Sequence, residues 1–321
     1  MTALSRRAFG RLALATVSST AMIGRTGLRA RGGVMVAVSS TSFRDLPRIT
    51  GSGNLEDVVR ATRAARATHL VLALANIEPA PPSTAPVMGG SAAYPRRIVL
   101  SPEEVASTNA VARAALRTWR GQAPLSLFEE SRRTLVAGGL TLQACSVDYN
   151  DSFTDDEILA TFKQAKALGV TTVSSPLTLA MAARLVPMAA HHQIAIAIQN
   201  QVDGNSGHVI GHTQLSEALA LSPVFRVALD IGNVTASNGD PVRTLRMHQS
   251  RVAFVVVKDR LRNGGASQPF GEGDTPIADV IAVLETATQP IPAVVEYDYI
   301  GLRPVVDEVA AAVAYLQLRA H

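Results

Sequence analysis

From Val34 onward, short apolar runs alternate with stretches of helical period. The runs are Val34–Val38, Leu70–Leu74, Leu140–Ala144, Val170–Val173, Ile194–Ile198, Val227–Leu229, Val252–Val257 and Ile291–Val295. Several are nearly unbroken Val, Ile, Ala and Leu, the pattern of parallel strands covered on both faces. Between them the apolar positions recur every three or four residues over Leu55–Arg66, Asp155–Leu168, Leu179–His192, Thr213–Ala220 and Val305–Leu318. Asp155, Asp156 and Glu157 open one of these with acids, and Gly169 follows its end, as helix ends favour. Eight strands, each leading to a helix, predict an α/β fold, a (β/α)₈ barrel over residues 34–320. The Pro- and Gly-rich stretch 79–91 follows the second strand, on the face where such barrels place their sites, and is read as a lid or an inserted loop. Residues 101–138 read as two additional helices before the third strand.

The first thirty residues follow a different pattern. Ser5-Arg6-Arg7-Ala8-Phe9-Gly10-Arg11 precedes a mildly apolar run, Leu12 to Ile23, interrupted by Ser18, Ser19 and Thr20. Paired arginines, a phenylalanine and then a weak apolar stretch predict a twin-arginine signal over residues 1–30, hence export by the twin-arginine translocase to the periplasm or beyond. The apolar run is shorter than the roughly 20 residues a bilayer crossing needs, so no stable membrane insertion is expected.

That segment changes the meaning of the charge. The chain has 30 Lys+Arg and 26 Asp+Glu, net +4, but residues 1–30 hold five arginines and no acid. Removing them turns the net to −1, so the basic balance does not argue for a nucleic-acid partner. Cys145 is the sole cysteine, which excludes an intramolecular disulfide and leaves stability to the core. About 290 remaining residues suffice for one barrel, which needs ~250.

Barrels of this kind build their sites from the C-terminal ends of the strands. Polar residues that end apolar strands are therefore the candidates: Cys145 to Asp148, Gln199-Asn200-Gln201, Asp230, Lys258-Asp259 and Glu296. Asp230 and Glu296, ending the sixth and eighth strands, would share the barrel mouth and suit a divalent cation or acid–base work. The competing reading makes each a turn cap or the partner of a nearby cation. Lys258 could meet an oxyanion, or could pair with Asp230, Asp259 or Glu296. Asn200, Gln201, Asn205, Asn233 and Asn238 are amides suited to sugar hydroxyls, and equally to turns. His208 and His212 lie in the loop after the fifth strand; Cys145 reads as a core residue.

Four segments, ALDIGNVTASNGD (228–240), VVVKDRLRNGG (255–265), FGEGDTPI (270–277) and VVEYDYIGL (294–302), resemble the sugar phosphate isomerase/epimerase family with the xylose isomerase-like barrel. The resemblance covers residues 140–320. It implies a divalent metal, Mg²⁺ or Mn²⁺, at the mouth, with Asp230 and Glu296 as ligands. It also implies carboxylates that move a proton between neighbouring carbons through an enediolate. Lys258 and Asp259 match the Lys-Asp of the family's His-x-Lys-Asp. The family's histidines are absent: His-Asn-His reads Gln199-Asn200-Gln201, Asp-x-Gly-His ends in Asn233, and His-x-Lys-Asp begins with Val256. A valine cannot ligate a metal and an amide is no base.

Two readings follow. In one, the chain is an isomerase or lyase acting on a sugar or sugar acid, with Glu296 as base, Asp230 on metal or substrate and Lys258 on the oxyanion. Gln199, Asn200, Gln201, Asn233 and Asp259 then contact the substrate. In the other it is an exported, non-catalytic carbohydrate-binding barrel that has lost the metal site. A DNA-repair barrel of the endonuclease IV type is excluded, because it would need a histidine-rich metal cluster and access to DNA.

Overall fold

The computed structural model describes residues 33–84, 87–91, 94–202, 207–209 and 211–319. The signal expected over residues 1–30, and Asn205, lie outside them. Eight parallel strands close into a barrel. They are β1 Val36–Ser39, β2 His69–Ala73, β3 Thr141–Ser146, β4 Thr172–Ser175, β5 Ala195–Gln199, β6 Phe225–Asp230, β7 Val252–Val257 and β8 Ala293–Val295. Each overlaps an apolar run read from the sequence, and closure runs through β1 pairing with both β2 and β8.

Ten helices are described: α1 Leu55–Ala64, α2 Pro102–Gln122, α3 Leu125–Ala137, α4 Asp155–Ala167, α5 Leu179–His191, α6 His212–Leu221, α7 Ile231–Ala236, α8 Pro241–His248, α9 Ile277–Glu285 and α10 Val305–Arg319. Capping fixes where some begin. Thr154 and Glu157 form a reciprocal capping box on α4, and Ser101 and Glu104 do the same for α2. The extra material before β3 is the pair α2–α3. The stretch expected to form a lid, 79–91, ends in Val87–Ser91, which pairs with Tyr94–Ile98 beyond it as an antiparallel hairpin. No helix among the described residues is long and apolar enough to cross a membrane.

Strand side chains alternate between the two faces, so the barrel has two cores. The outer core, between strands and helices, takes large residues such as Leu70, Leu72, Phe128, Phe162 and Phe225. The inner core is mostly Ala and Val, namely Ala37, Val71, Ala144, Ala197, Ala228, Val256 and Val294, with Phe254 the one large member. Small inner residues leave space above them, toward the C-terminal ends of the strands. Cys145 lies on the outer face, fully buried, and burial pushes its thiol pKa up.

Candidate active site at the barrel mouth

The two-residue period continues past the strand ends and determines which polar residues face inward. Asp230 follows inward Ala228; Lys258 follows Val256; Glu296 and then Asp298 follow Val294; Gln199 and Gln201 follow Ala197; Ser146 and Asp148 follow Ala144. Register sets their heights. Asp230 pairs with Val256, and Val295 with Val257, which puts Lys258 and Glu296 one step above Asp230.

These heights bring four of the polar groups together. Lys258 Nζ lies 3.0 Å from Asp230 Oδ2, 2.8 Å from Glu296 Oε1 and 3.3 Å from Asp298 Oδ2. Burial works against the Lys258 charge, but Asp230, Glu296 and Asp298 outweigh it and hold its pKa well above the ordinary lysine value. Burial raises the Asp230 carboxyl; Lys258 pulls it down and Glu296 adds to the rise.

Above the cluster opens a cavity of about 820 Å³, within the range that small-molecule sites occupy. Lys258 and Glu296 line it, joined by Gln199, Gln201 and His208 from the β5 side and Asp148 from β3, while the inner-core residues Val71, Phe254, Val256 and Val294 line its deep end. The surrounding protein raises the Asp148 carboxyl pKa, with His208 opposing and Glu296 reinforcing the rise. One wall comes from α2. There Arg120 makes a two-point pair with Glu78, Nε to Oε1 at 2.6 Å and Nη2 to Oε2 at 2.9 Å, and its guanidinium stacks 4.5 Å from the Phe153 ring centroid. Glu157 ties Arg113, Arg117 and Arg120 to the start of α4. The Arg113–Arg120 wall was not read from the sequence, since a two-helix insertion carries no strand-end signal.

Four of the residues expected at the site hold the scaffold instead. Asp230 is fully buried beneath Lys258 and is not among the cavity-lining residues; its Oδ1 accepts from the Asn233 N–H and so caps α7. Its Oδ2 pairs with the Lys258 ammonium. Asn200 is buried with its amide spent on the Asp230 backbone, and Asn233 Nδ2 donates to the Asn200 carbonyl while its Oδ1 accepts from Arg260. Asp259 accepts from the N–H groups of Gly271, Gly273 and Thr275, which folds the Gly-Glu-Gly turn around it. At Gly273 a Cβ would run into the Asp259 carboxylate, so this turn requires glycine. None of Asn200, Asn233 and Asp259 lines the cavity.

The donor set does not fit the divalent metal that the resemblance implies. The ammonium stands between the two carboxylates assigned as ligands. Val256 is apolar, and Gln199 turns its Nε2, a donor, toward Asp230 at 3.4 Å. No group of three or more His, Cys, Asp or Glu suited to a metal exists among the described residues.

No family model matches the chain, and no curated protein matches it. Solved structures do. A xylose isomerase domain protein from Alicyclobacillus acidocaldarius subsp. acidocaldarius superposes with a TM-score of 0.58 at 11% identity, over 90% of this chain and 99% of that one. The fold is that of the xylose isomerase-like TIM barrels. D-allulose 3-epimerase from Methylomonas sp., solved in complex with D-allulose, gives a TM-score of 0.57 at 11% identity over 89% and 97%. The probable 3-DHS dehydratase AsbF of Bacillus anthracis gives 0.57 at 12% identity over 88% and 98%. At such identities the likeness reaches the fold and stops there.

Proposed function

We propose that the chain is a sugar isomerase/epimerase-like protein that binds a free sugar or sugar derivative in the mouth cavity and moves a proton between neighbouring carbons. The observation that carries this reading is the Lys258–Glu296 pair: a cation and a carboxylate 2.8 Å apart, both lining a cavity of small-molecule size. Gln199, Gln201, Ser146 and Ser174 supply neutral donors and acceptors for hydroxyls, and Phe153 and Phe254 supply apolar faces for ring carbons.

Glu296 binds Lys258 through Oε1, which leaves Oε2 to act as base. In an aldose–ketose step, Oε2 takes the proton from the carbon next to the carbonyl. The electron pair left behind forms the enediolate, and Lys258 meets the charge that develops on its oxygen. Glu296 returns the proton to the former carbonyl carbon, while the neighbouring hydroxyl proton passes to the former carbonyl oxygen. The same pair would serve a lyase: the enediolate electrons expel the hydroxyl on the next carbon, which leaves as water with the proton that Glu296 took. The twin-arginine pattern at Arg6-Arg7 supports placing this chemistry outside the cytoplasm.

A second reading, a non-catalytic carbohydrate-binding barrel, is favoured by the amides at Gln199 and Gln201, which bind hydroxyls but accept no proton. Incubation with aldoses and ketoses in D₂O, followed by NMR, separates the two. Exchange of a sugar C–H that disappears in a folded Glu296→Gln variant supports the enzyme. Calorimetric binding without exchange in the wild type overturns it in favour of the binding barrel.

A further inference from the structure

One oxygen from each of Asp230, Glu296 and Asp298 lies within 3.3 Å of a single point at the barrel mouth. Hard divalent cations select oxygens, but with that point filled the acids form no metal group among the described residues. The point is held by an ammonium. A lysine head carries three N–H donors, and here it meets one oxygen from each of Asp230, Glu296 and Asp298. Its stem is fixed as well: Lys258 is buried, and a Cβ on Gly232 would stand 2.7 Å from Lys258 Cβ, so α7 packs directly on the base of the side chain. The acids have ligating capacity beyond what the ammonium uses, since Asp298 Oδ1 is buried without a partner.

We propose that the Lys258 ammonium is a resident cation that takes the place of a divalent metal, so that the mouth of this barrel runs on a fixed lysine charge. The acids that would ligate an ion instead hold the lysine charged. The charge cannot be exchanged or chelated away. The inference deepens the proposed sugar site by naming its cation. Its test reads metal binding and melting, so its failure and the failure of the sugar reading are seen separately.

The full chain is stripped with EDTA, assayed for metal before and after, and titrated with Mg²⁺ and Mn²⁺ by calorimetry while its melting temperature is followed. For the wild type the expected result is no stoichiometric ion and a melting temperature unmoved by chelator or metal. Lys258→Ala vacates the cation position among the three acids. It is expected to melt lower than the wild type and to recover with Mn²⁺, one ion per chain, because an ion bound only by the folded state raises its stability. Lys258→Met keeps the volume of the stem and gives the same readout should the alanine variant not fold; should neither fold, the wild-type arm decides alone. Stoichiometric metal, or a chelator-sensitive melting temperature in the wild type, overturns the proposal. So does a folded Lys258→Ala or Lys258→Met variant that melts like the wild type or ignores both ions.

Discussion

Asn200 closes on the backbone of Asp230 from both sides: its Oδ1 accepts from the Asp230 N–H at 2.8 Å and its Nδ2 donates to the Asp230 carbonyl at 3.0 Å. Both residues are fully buried, so no solvent can replace either bond. Asn200→Ala strands a buried donor and a buried acceptor, each worth ~1–3 kcal/mol. Urea unfolding is expected to show a loss of roughly 2–5 kcal/mol with an unchanged m-value. A loss under about 0.5 kcal/mol, the range of neutral surface changes, would remove the clamp from the account.

The clamp matters because Asp230 reaches the site through Lys258 and Gln199, and Gly232 is the other surface against which that lysine rests. A Cβ at Gly232 would lie 2.7 Å from Lys258 Cβ and 2.9 Å from the Lys258 carbonyl oxygen. Backbone cannot yield as a flexible side chain can, so Gly232→Ala is expected to cost ~1–3 kcal/mol. It should also weaken sugar binding measured by calorimetry, because the ammonium shifts with its stem. A Gly232→Ala protein with unchanged melting and affinity would show that α7 does not set the position of Lys258.

Much of this was legible in the sequence, because a barrel strand carries its own ruler. The alternation that makes Ala228, Val256 and Val294 inner residues also makes Asp230, Lys258 and Glu296 inner residues. The same parity could have excluded Asn200 and Asp259, one step out of phase, and could have added Asp298, which is in phase with Glu296. Height along the barrel is harder to read. That Asp230 lies below Lys258 depends on the β6–β7 register, which shifts between Val227 and Ala228. Arg113 and Arg120 were invisible for another reason: they reach the cavity from α2 through packing against Phe153 and Glu157, and no local period announces such contacts.

Glu157 gives the cavity wall a pH limit. Burial works against its charge, but hydrogen bonds from Arg113, from the Thr154 N–H and from Arg117 hold the carboxyl down at about 2, from an ordinary 4.5. A folded-state pKa below the unfolded one means stability that is fully present above pH 4.5 and is lost as pH falls toward 2. Glu157→Gln is expected to cost about 3 kcal/mol at neutral pH, the low end for breaking a buried pair, since Arg120 keeps Glu78. The variant should also flatten the stability curve across that acid window. Parallel curves for variant and wild type between pH 5 and pH 2 would assign the acid sensitivity to another group.

If the cavity takes a sugar as proposed, the charges around it set which sugars are favoured. Lys258 and Glu296 line the cavity with Asp230 and Asp298 packed behind the same ammonium, and Asp148 adds a further carboxylate to the lining. The α2 wall offers little in return, because Arg113, Arg117 and Arg120 are already engaged by Glu78 and Glu157. Burial raises the carboxyl pKa values of Asp148 and Asp230, and the neighbouring Glu296 charge adds to both rises. A phosphate or carboxylate on the ligand would enter that field and find the Lys258 ammonium shared three ways and the lining Arg113 and Arg120 already paired. Calorimetry at low salt should therefore give a neutral monosaccharide at least ~10-fold higher affinity than its phosphate ester, a difference of about 1.4 kcal/mol. The gap should narrow as salt screens the lining charges. Tighter binding of the phosphate ester would mean that Lys258 is free to leave its acids, and the site would then have to be redrawn around an anion.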